Sequence, residues 1–284
     1  MTERMPRHMW WRKQYRENRY MSGLTNAELD LRFADIFTNS TILTEEGKIG
    51  IGDIEWMEKF THLLEEFAYR GLGMPPNDSI QRRLAIPEPS ASTLGAKVRI
   101  DYPKGIPESF TLFKYGNSKF LQSLIEDGAV RLLPASRYDD PSLNTAIEDK
   151  ELEFVKIVGH KRFRYSSTRD FYCFCSSWIH SDRLVGDFGA DAVLVIRDPH
   201  EFFIRLATAL DEKDFDIYFN RVAYIDPLLL GTDEHVRDIA LAKHMRFTYQ
   251  FEHRWIAMPR TPIELKERKL VLGPLADIAE LYTF

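Results

Sequence analysis

Cysteine is nearly absent from this chain: Cys173 and Cys175 are its only two. One residue apart on a strand, they share a face and are poorly placed to bond each other, so no disulfide framework is expected. Neither do they make a zinc spacing. Long apolar runs are missing as well, and no signal-peptide core follows the basic start. The expectation is therefore a soluble, cytoplasmic protein without a membrane partner. Charge of one sign is not in excess: 38 Lys and Arg stand against 43 Asp and Glu, a formal −5, so there is no global attraction to polyanions. The common catalytic signatures do not occur. Lys48-Ile49-Gly50-Ile51-Gly52-Asp53 holds a G-x-G without a third glycine or a preceding strand. No Gly-Lys-Ser/Thr phosphate loop, Gly-x-Ser-x-Gly elbow or His-Glu-x-x-His is found. Kinases, nucleophile-elbow hydrolases and zinc enzymes are not first choices.

What is present is enough chain for one large domain or a domain with an appendage: 284 residues, 44% of them hydrophobic. Residues 25–85 read as helical. Leu29, Phe33, Ile36 and Phe37 share a face, with Asn26 as cap. Ile54, Met57, Phe60, Leu63, Leu64 and Phe67 make a stronger helix that Gly71 ends. The prolines of 86–89 suggest a boundary near residues 86–96. Beyond it, strands are expected at 110–115, 129–133, 171–176, 192–197, 217–225 and 269–274. Helices are expected after Asn117, from Asp140-Pro141 to Val158, over 199–211 and over 234–243. This mixture without βαβ regularity reads as α+β. The first twenty residues set Arg4, Arg7, Arg12, Lys13, Arg16 and Arg19 among Trp10, Trp11, Tyr15 and Tyr20. That pattern is first a helix start or a partner-docking tail, and second a nucleic-acid arm.

The most informative segment is Phe247 to Trp255, where Phe247, Tyr249, Phe251, His253 and Trp255 alternate with Thr248, Gln250, Glu252 and Arg254. Period two predicts a strand with one aromatic face. A carboxylate pinned beside a guanidinium is either a positioned catalytic group or a structural ion pair. Other polar residues expected at strand ends are Lys114 and Tyr115, Ser136 and Arg137, Asp139 and Asp140, and Ser176 and Ser177.

The order of these pieces over residues 110–280 resembles a large bacterial domain family related to ADP-ribosyltransferases and associated with toxin–antitoxin and phage-defence systems. The resemblance rests on Phe113-Lys114-Tyr115, Arg137-Tyr138-Asp139-Asp140-Pro141, Cys173-Phe174-Cys175-Ser176, Lys243-His244, Tyr249-Gln250-Phe251-Glu252-His253-Arg254 and Leu272-Gly273-Pro274. Asp139 stands where that family usually has asparagine, and Gln250 where it has a first glutamate. The resemblance does not reach residues 1–90. It implies an ADP-ribosyltransferase-like split mixed or antiparallel sheet in a catalytic domain over 91–284, with a helical target- or partner-binding region over 1–90. It implies NAD as co-substrate and no metal. Glu252 becomes the catalytic carboxylate, beside the ribose. Lys114, Arg137 and Arg254 become diphosphate cations, and Tyr115 or Tyr138 a ring for nicotinamide. Asp140 and Ser176 complete the cofactor contacts, Ser176 by supporting Glu252. The acceptor is a macromolecule, protein or RNA or DNA, with an antitoxin or other regulatory protein as a second partner. An NAD glycohydrolase and a non-catalytic interaction module are the competing readings.

Overall fold

The computed structural model describes residues 5–43, 49–51, 53–75, 111–144, 146–210, 212–228 and 238–284. The expected boundary at 86–96 lies outside them. Three helices and a small hairpin come first: α1 (Arg7–Glu17), α2 (Asn26–Ser40), β1 (Thr41–Leu43), β2 (Ile49–Ile51) and α3 (Ile54–Arg70). The start of α2 is fixed by Thr25 rather than Asn26. Thr25 Oγ1 accepts from the Glu28 N–H at 3.2 Å while the Glu28 carboxylate accepts from the Thr25 N–H at 2.7 Å, a reciprocal capping box. Asp53 caps α3 by accepting from the Glu55 N–H, and Gly71, at φ 65°, ends it in the left-handed conformation.

The C-terminal part runs β3 (Leu112–Gly116), α4 (Ser118–Asp127), β4 (Ala129–Leu132), β5 (Glu153–Val158), β6 (Lys161–Ser166), β7 (Tyr172–Ser177), α5 (Asp182–Asp187), β8 (Ala192–Ile196), α6 (Pro199–Leu210), β9 (Phe215–Arg221), β10 (Ala223–Ile225), β11 (Ala242–His244), β12 (Glu252–Pro259), β13 (Arg268–Val271) and β14 (Ala279–Thr283). Six strands form one sheet in the order β14-β8-β3-β7-β12-β9, every neighbour antiparallel. The class is thus α+β. The halves β14-β8-β3 and β7-β12-β9 meet at a narrow seam, where β3 and β7 share only the pair Phe113–Ser177. On one face Leu112, Leu194, Phe174 and Trp255 pack under α4 and α6. On the other, Phe113, Tyr115 and Val195 pack against α5, and Cys173 and Ile256 against Ala135 and Ala240.

Several expected elements are absent. The helix from Asp140 to Val158 does not form: Asp140 accepts from the Ser142 N–H and Asn144 from the Ala146 N–H, side-chain turns that compete with helix. The β-branched Val155, Ile157 and Val158 then join β5, which Gly159 at φ 59° turns into β6. In place of a helix ending at Lys243, Ile239–Leu241 make one 3₁₀ turn before β11; residues 234–237 lie outside the described ones. The strand expected at 269–274 forms as β13, ending at Val271, and a further strand, β14, follows it.

The aromatic strand begins only at Glu252. Met245–Gln250 is a 3₁₀ turn and Phe251 sits at φ 46°. The cause is distant in sequence. Asn39 of α2 donates to the Met245 and Arg246 carbonyls and accepts from the Tyr249 N–H, supplying backbone partners that a neighbouring strand would otherwise give.

The N-terminal helices are packed on the C-terminal part. Tyr15, Met21, Leu29, Phe33, Leu63 and Phe67 share one core with Leu228 and Met245. Arg32 of α2 grips Asp226 with two hydrogen bonds, at 2.9 and 2.8 Å, both residues buried. At Gly23 an added Cβ would stand 2.0 Å from the Gly159 carbonyl oxygen, so the chain before α2 lies directly on the β5–β6 turn. The basic start of the chain is compensated internally: Arg12 and Arg16 reach Glu65, Arg19 reaches Glu66 and Lys13 reaches Glu17. Trp11 and Tyr15 are buried, so these rings are not a stacking platform.

This docking is acid-sensitive. Burial pushes the Asp226 carboxyl up, but Arg32 outweighs it and holds the group below its ordinary 3.8. Within the N-terminal helices themselves, Glu66 is likewise held down, burial being outweighed by hydrogen bonds from Arg19, Tyr15 and Arg70. Groups with depressed folded-state values contribute stability that is full above the ordinary carboxylate range and lost as pH falls through the folded values. Thermal unfolding should move to lower temperature below about pH 4, and Asp226→Asn should flatten that decline. A variant with the wild-type acid profile would contradict the assignment.

Candidate functional site

Register decides which residues share a face. Phe113, Ser177 and Glu252 stand on one line across β3, β7 and β12, and Cys175 pairs with Arg254. Side chains alternate along a strand, so Lys114, Ser176 and His253 leave the opposite face.

On the first face lies a buried group of four charges. Glu252 Oε2 accepts from Lys243 Nζ at 2.8 Å and Glu252 Oε1 from Arg254 Nε at 2.6 Å. Arg254 Nη2 is 2.6 Å from Glu151 Oε2, and Lys243 Nζ is 3.8 Å from Glu151 Oε1. Arg254 Nη1 donates to the Ala240 carbonyl, and Tyr224 Oη accepts from the Glu252 N–H. Two carboxylates and two cations balance. Burial pushes the Glu252 carboxyl up, but Arg254 and then Lys243 outweigh it, holding the group well below the ordinary carboxylate range. Burial lowers Lys243, and Glu252 and Glu151 more than reverse this. For Glu151 burial wins against Arg254 and Lys243 and the carboxyl is raised. Gln250 bridges outward: its Oε1 accepts from Lys243 at 3.1 Å and its Nε2 donates to the Ala146 carbonyl at 2.7 Å. A glutamate at position 250 would leave that carbonyl without its donor and add a third negative charge.

Tyr138 and Arg254 are the expected cofactor residues that converge on Glu252. Burial pushes the Tyr138 phenol up, and the nearby Cys173, Cys175, Glu151 and Glu252 push it further. Tyr115 is on the same sheet face, but its ring lies against His180 at 11° and its hydroxyl bonds His180 Nδ1 and accepts from the Ser181 N–H. Its ring is therefore not open to nicotinamide. Arg137 and Asp140 are exposed on the turn after β4. Lys114 and Ser176 sit across the sheet from Glu252, which corrects their expected placement beside it. Lys114 Nζ donates to the Cys175 carbonyl at the seam and stands 4.9 Å over the Phe174 ring. Ser176 Oγ donates to the His253 carbonyl, not to Glu252. With them on that face, His253 stacks on Phe203, and burial together with Arg221 lowers its imidazole to about 4, leaving it neutral at pH 7.

Glu151, Tyr224 and Lys243 were not among the expected site residues. Lys243 was visible only as part of the Lys243-His244 motif. Glu151 fell inside the helix that does not form, and nothing local distinguished it. A cavity of about 410 Å³ lies between α2 and the β5, β10 and β11 strands, within the size range of small-molecule sites. Lys243, Arg32, Arg246, Phe154 and Leu228 are among its lining residues. Arg32 Nε and Arg246 Nε are buried there without a hydrogen-bond partner among the described residues. Lys243 thus stands between this cavity and Glu252.

Comparison with protein-family models, with curated proteins and with solved structures returns no match, and no family is assigned on that ground. Among the described residues no group of three or more His, Cys, Asp and Glu side chains is placed to hold a metal ion. Among the same residues no helix is long and apolar enough to cross a membrane.

Proposed function

We propose that the chain is an ADP-ribosyltransferase-type enzyme that breaks the nicotinamide–ribose bond of NAD and transfers ADP-ribose to a macromolecular acceptor, with Glu252 as the catalytic carboxylate. The observation that carries this reading is an ionised glutamate one side chain behind the wall of a ligand-sized cavity. When the C–N bond breaks, its electron pair leaves with nicotinamide and positive charge develops on the ribose. That cation competes with the Lys243 ammonium for Glu252 Oε2, and a carboxylate held at a protein site stabilises it. The acceptor nucleophile bonds the ribose carbon and loses its proton to solvent. Both Glu252 oxygens already accept hydrogen bonds from Lys243 and Arg254, so Glu252 acts here by charge. The Arg32 and Arg246 guanidiniums among the cavity's lining residues suit a diphosphate. The motif order over residues 110–280 and the sheet seam at Phe113–Ser177 agree with a split transferase sheet.

A second reading has its own support. Both Glu252 oxygens are already occupied by cations, the arrangement of a closed structural ion-pair group, and this favours a non-catalytic interaction module. Incubating the protein and a cell lysate with labelled NAD, followed by separate protease and nuclease digestion, decides between them. Label on a macromolecule supports transfer, and free ADP-ribose alone means water is the acceptor. Unchanged NAD sinks both enzymatic readings.

A further inference from the structure

The β5–β6 hairpin is the most conspicuous surface that the site does not use. All six residues of β6 are exposed, in the order Lys161-Arg162-Phe163-Arg164-Tyr165-Ser166. Phe163 and Tyr165 are 47% and 48% exposed. Tyr165 stacks on Phe154 of β5, ring centroids 4.7 Å apart and planes at 10°, so its outer face is held flat toward solvent. Phe163 follows on the same strand face about 7 Å away, one pleat repeat. Over residues 153–166 the exposed cations are Lys161, Arg162 and Arg164 against the single carboxylate Glu153, in a chain whose net charge is −5, while Lys156 is buried and donates to the Asp226 carbonyl. Arg162 pairs with Glu28 and Arg164 lies 3.5 Å from Glu153, while Lys161 has no acidic partner among the described residues.

Cations on an outer strand are a common guard against edge-to-edge pairing. Two exposed rings work against that purpose, because they add apolar surface to the very edge being guarded. Rings spaced along a strand between cations have a different use: successive unstacked bases lie on the rings and the backbone phosphates meet the cations. A duplex keeps its bases stacked and offers the rings nothing. The turn is also held rigidly for such a role, because Gly23 packs directly on Gly159 and Glu28 holds Arg162.

We propose that the outer strand of this hairpin binds single-stranded nucleic acid, with Phe163 and Tyr165 as stacking rings and Lys161, on the same face of the strand, as a phosphate contact. Binding itself requires no NAD chemistry. If the transferase reading holds, it makes nucleic acid the acceptor.

The test is fluorescence anisotropy of the full chain, without NAD, against a labelled 20-nucleotide single-stranded RNA, the matching DNA and the duplex. Single strands should bind more tightly than duplex, and less tightly as salt rises. Phe163→Ala with Tyr165→Ala should weaken binding by roughly tenfold or more, while Phe163→Trp should retain it. Lys161→Ala should weaken binding and shallow its dependence on salt by about 0.7, the share of one lost phosphate contact. Lys161→Ala should leave thermal unfolding unchanged; Tyr165→Ala loses the stack on Phe154 and lowers it slightly, so binding is compared at equal folded fraction and with Phe163→Ala alone, which keeps that stack. Absence of binding at low salt, a preference for duplex, or a ring variant that binds like wild type would overturn the proposal. So would self-association that Phe163→Ala abolishes, which would assign the strand to a second copy of the chain. Loss of NAD turnover alone would leave these binding results standing.

Discussion

Arg254→Met should destabilise the protein by about 3–5 kcal/mol, the usual cost of removing one partner from a buried ion pair. Arg254 is fully buried and donates to Glu252, to Glu151 and to the Ala240 carbonyl. Methionine fills much of the volume but leaves two carboxylates facing a single cation, Lys243, and leaves the Ala240 carbonyl unpaired. Thermal unfolding should fall by on the order of 10 °C for a chain of this size. A change within a degree or two of wild type would mean that the four charges are solvated in solution, and the closed geometry would have to be abandoned.

Glu252→Gln should reduce NAD cleavage by about a hundredfold or more, the scale of losing one electrostatic stabiliser. The substitution alone also strands a positive charge, so lost activity and lost stability are entangled in it. Pairing Glu252→Gln with Lys243→Met separates them. The double variant keeps Arg254 opposite Glu151 and stays neutral overall, so it should unfold closer to wild type than Glu252→Gln does. It should nevertheless be as inactive. If the single variant is inactive and unstable while the double variant is both stable and active, Glu252 is a structural ion-pair member and the catalytic group lies elsewhere on the chain.

How much of this could be read from the residues alone depended on how local the cause was. Asp53, Asn117 and the two helix-ending glycines Gly71 and Gly128 act on their own neighbours, and the helices they delimit formed where expected. The segment Phe247–Phe251 alternates like a strand, yet the amide of Asn39, about two hundred residues earlier, holds its backbone in a 3₁₀ turn. Locally only Thr248, whose hydroxyl donates to the Met245 carbonyl, and His244, which caps the turn, favour it. Glu252 and Arg254 were identifiable because they are neighbours on one strand. Lys243 and Glu151, which decide the electrostatics of Glu252, arrive from β11 and from a loop whose side-chain turns replace an expected helix. The sidedness of Lys114 and Ser176 was hidden for a related reason. For Lys114 it depends on the single register pair at the seam, where a shift of one residue would have turned it toward Glu252; for Ser176 it depends on the β7–β12 ladder, which pairs it with His253.

The central claim is that Glu252 cleaves the nicotinamide–ribose bond by charge, from within a folded, charge-balanced site. Its most direct test is nicotinamide release from NAD by wild type and by the Lys243→Met, Glu252→Gln variant, compared at equal folded fraction and with the lysate acceptors present. Release by wild type and at least a hundredfold less by the variant is the predicted result. Equal release by both, or none by wild type, would contradict it.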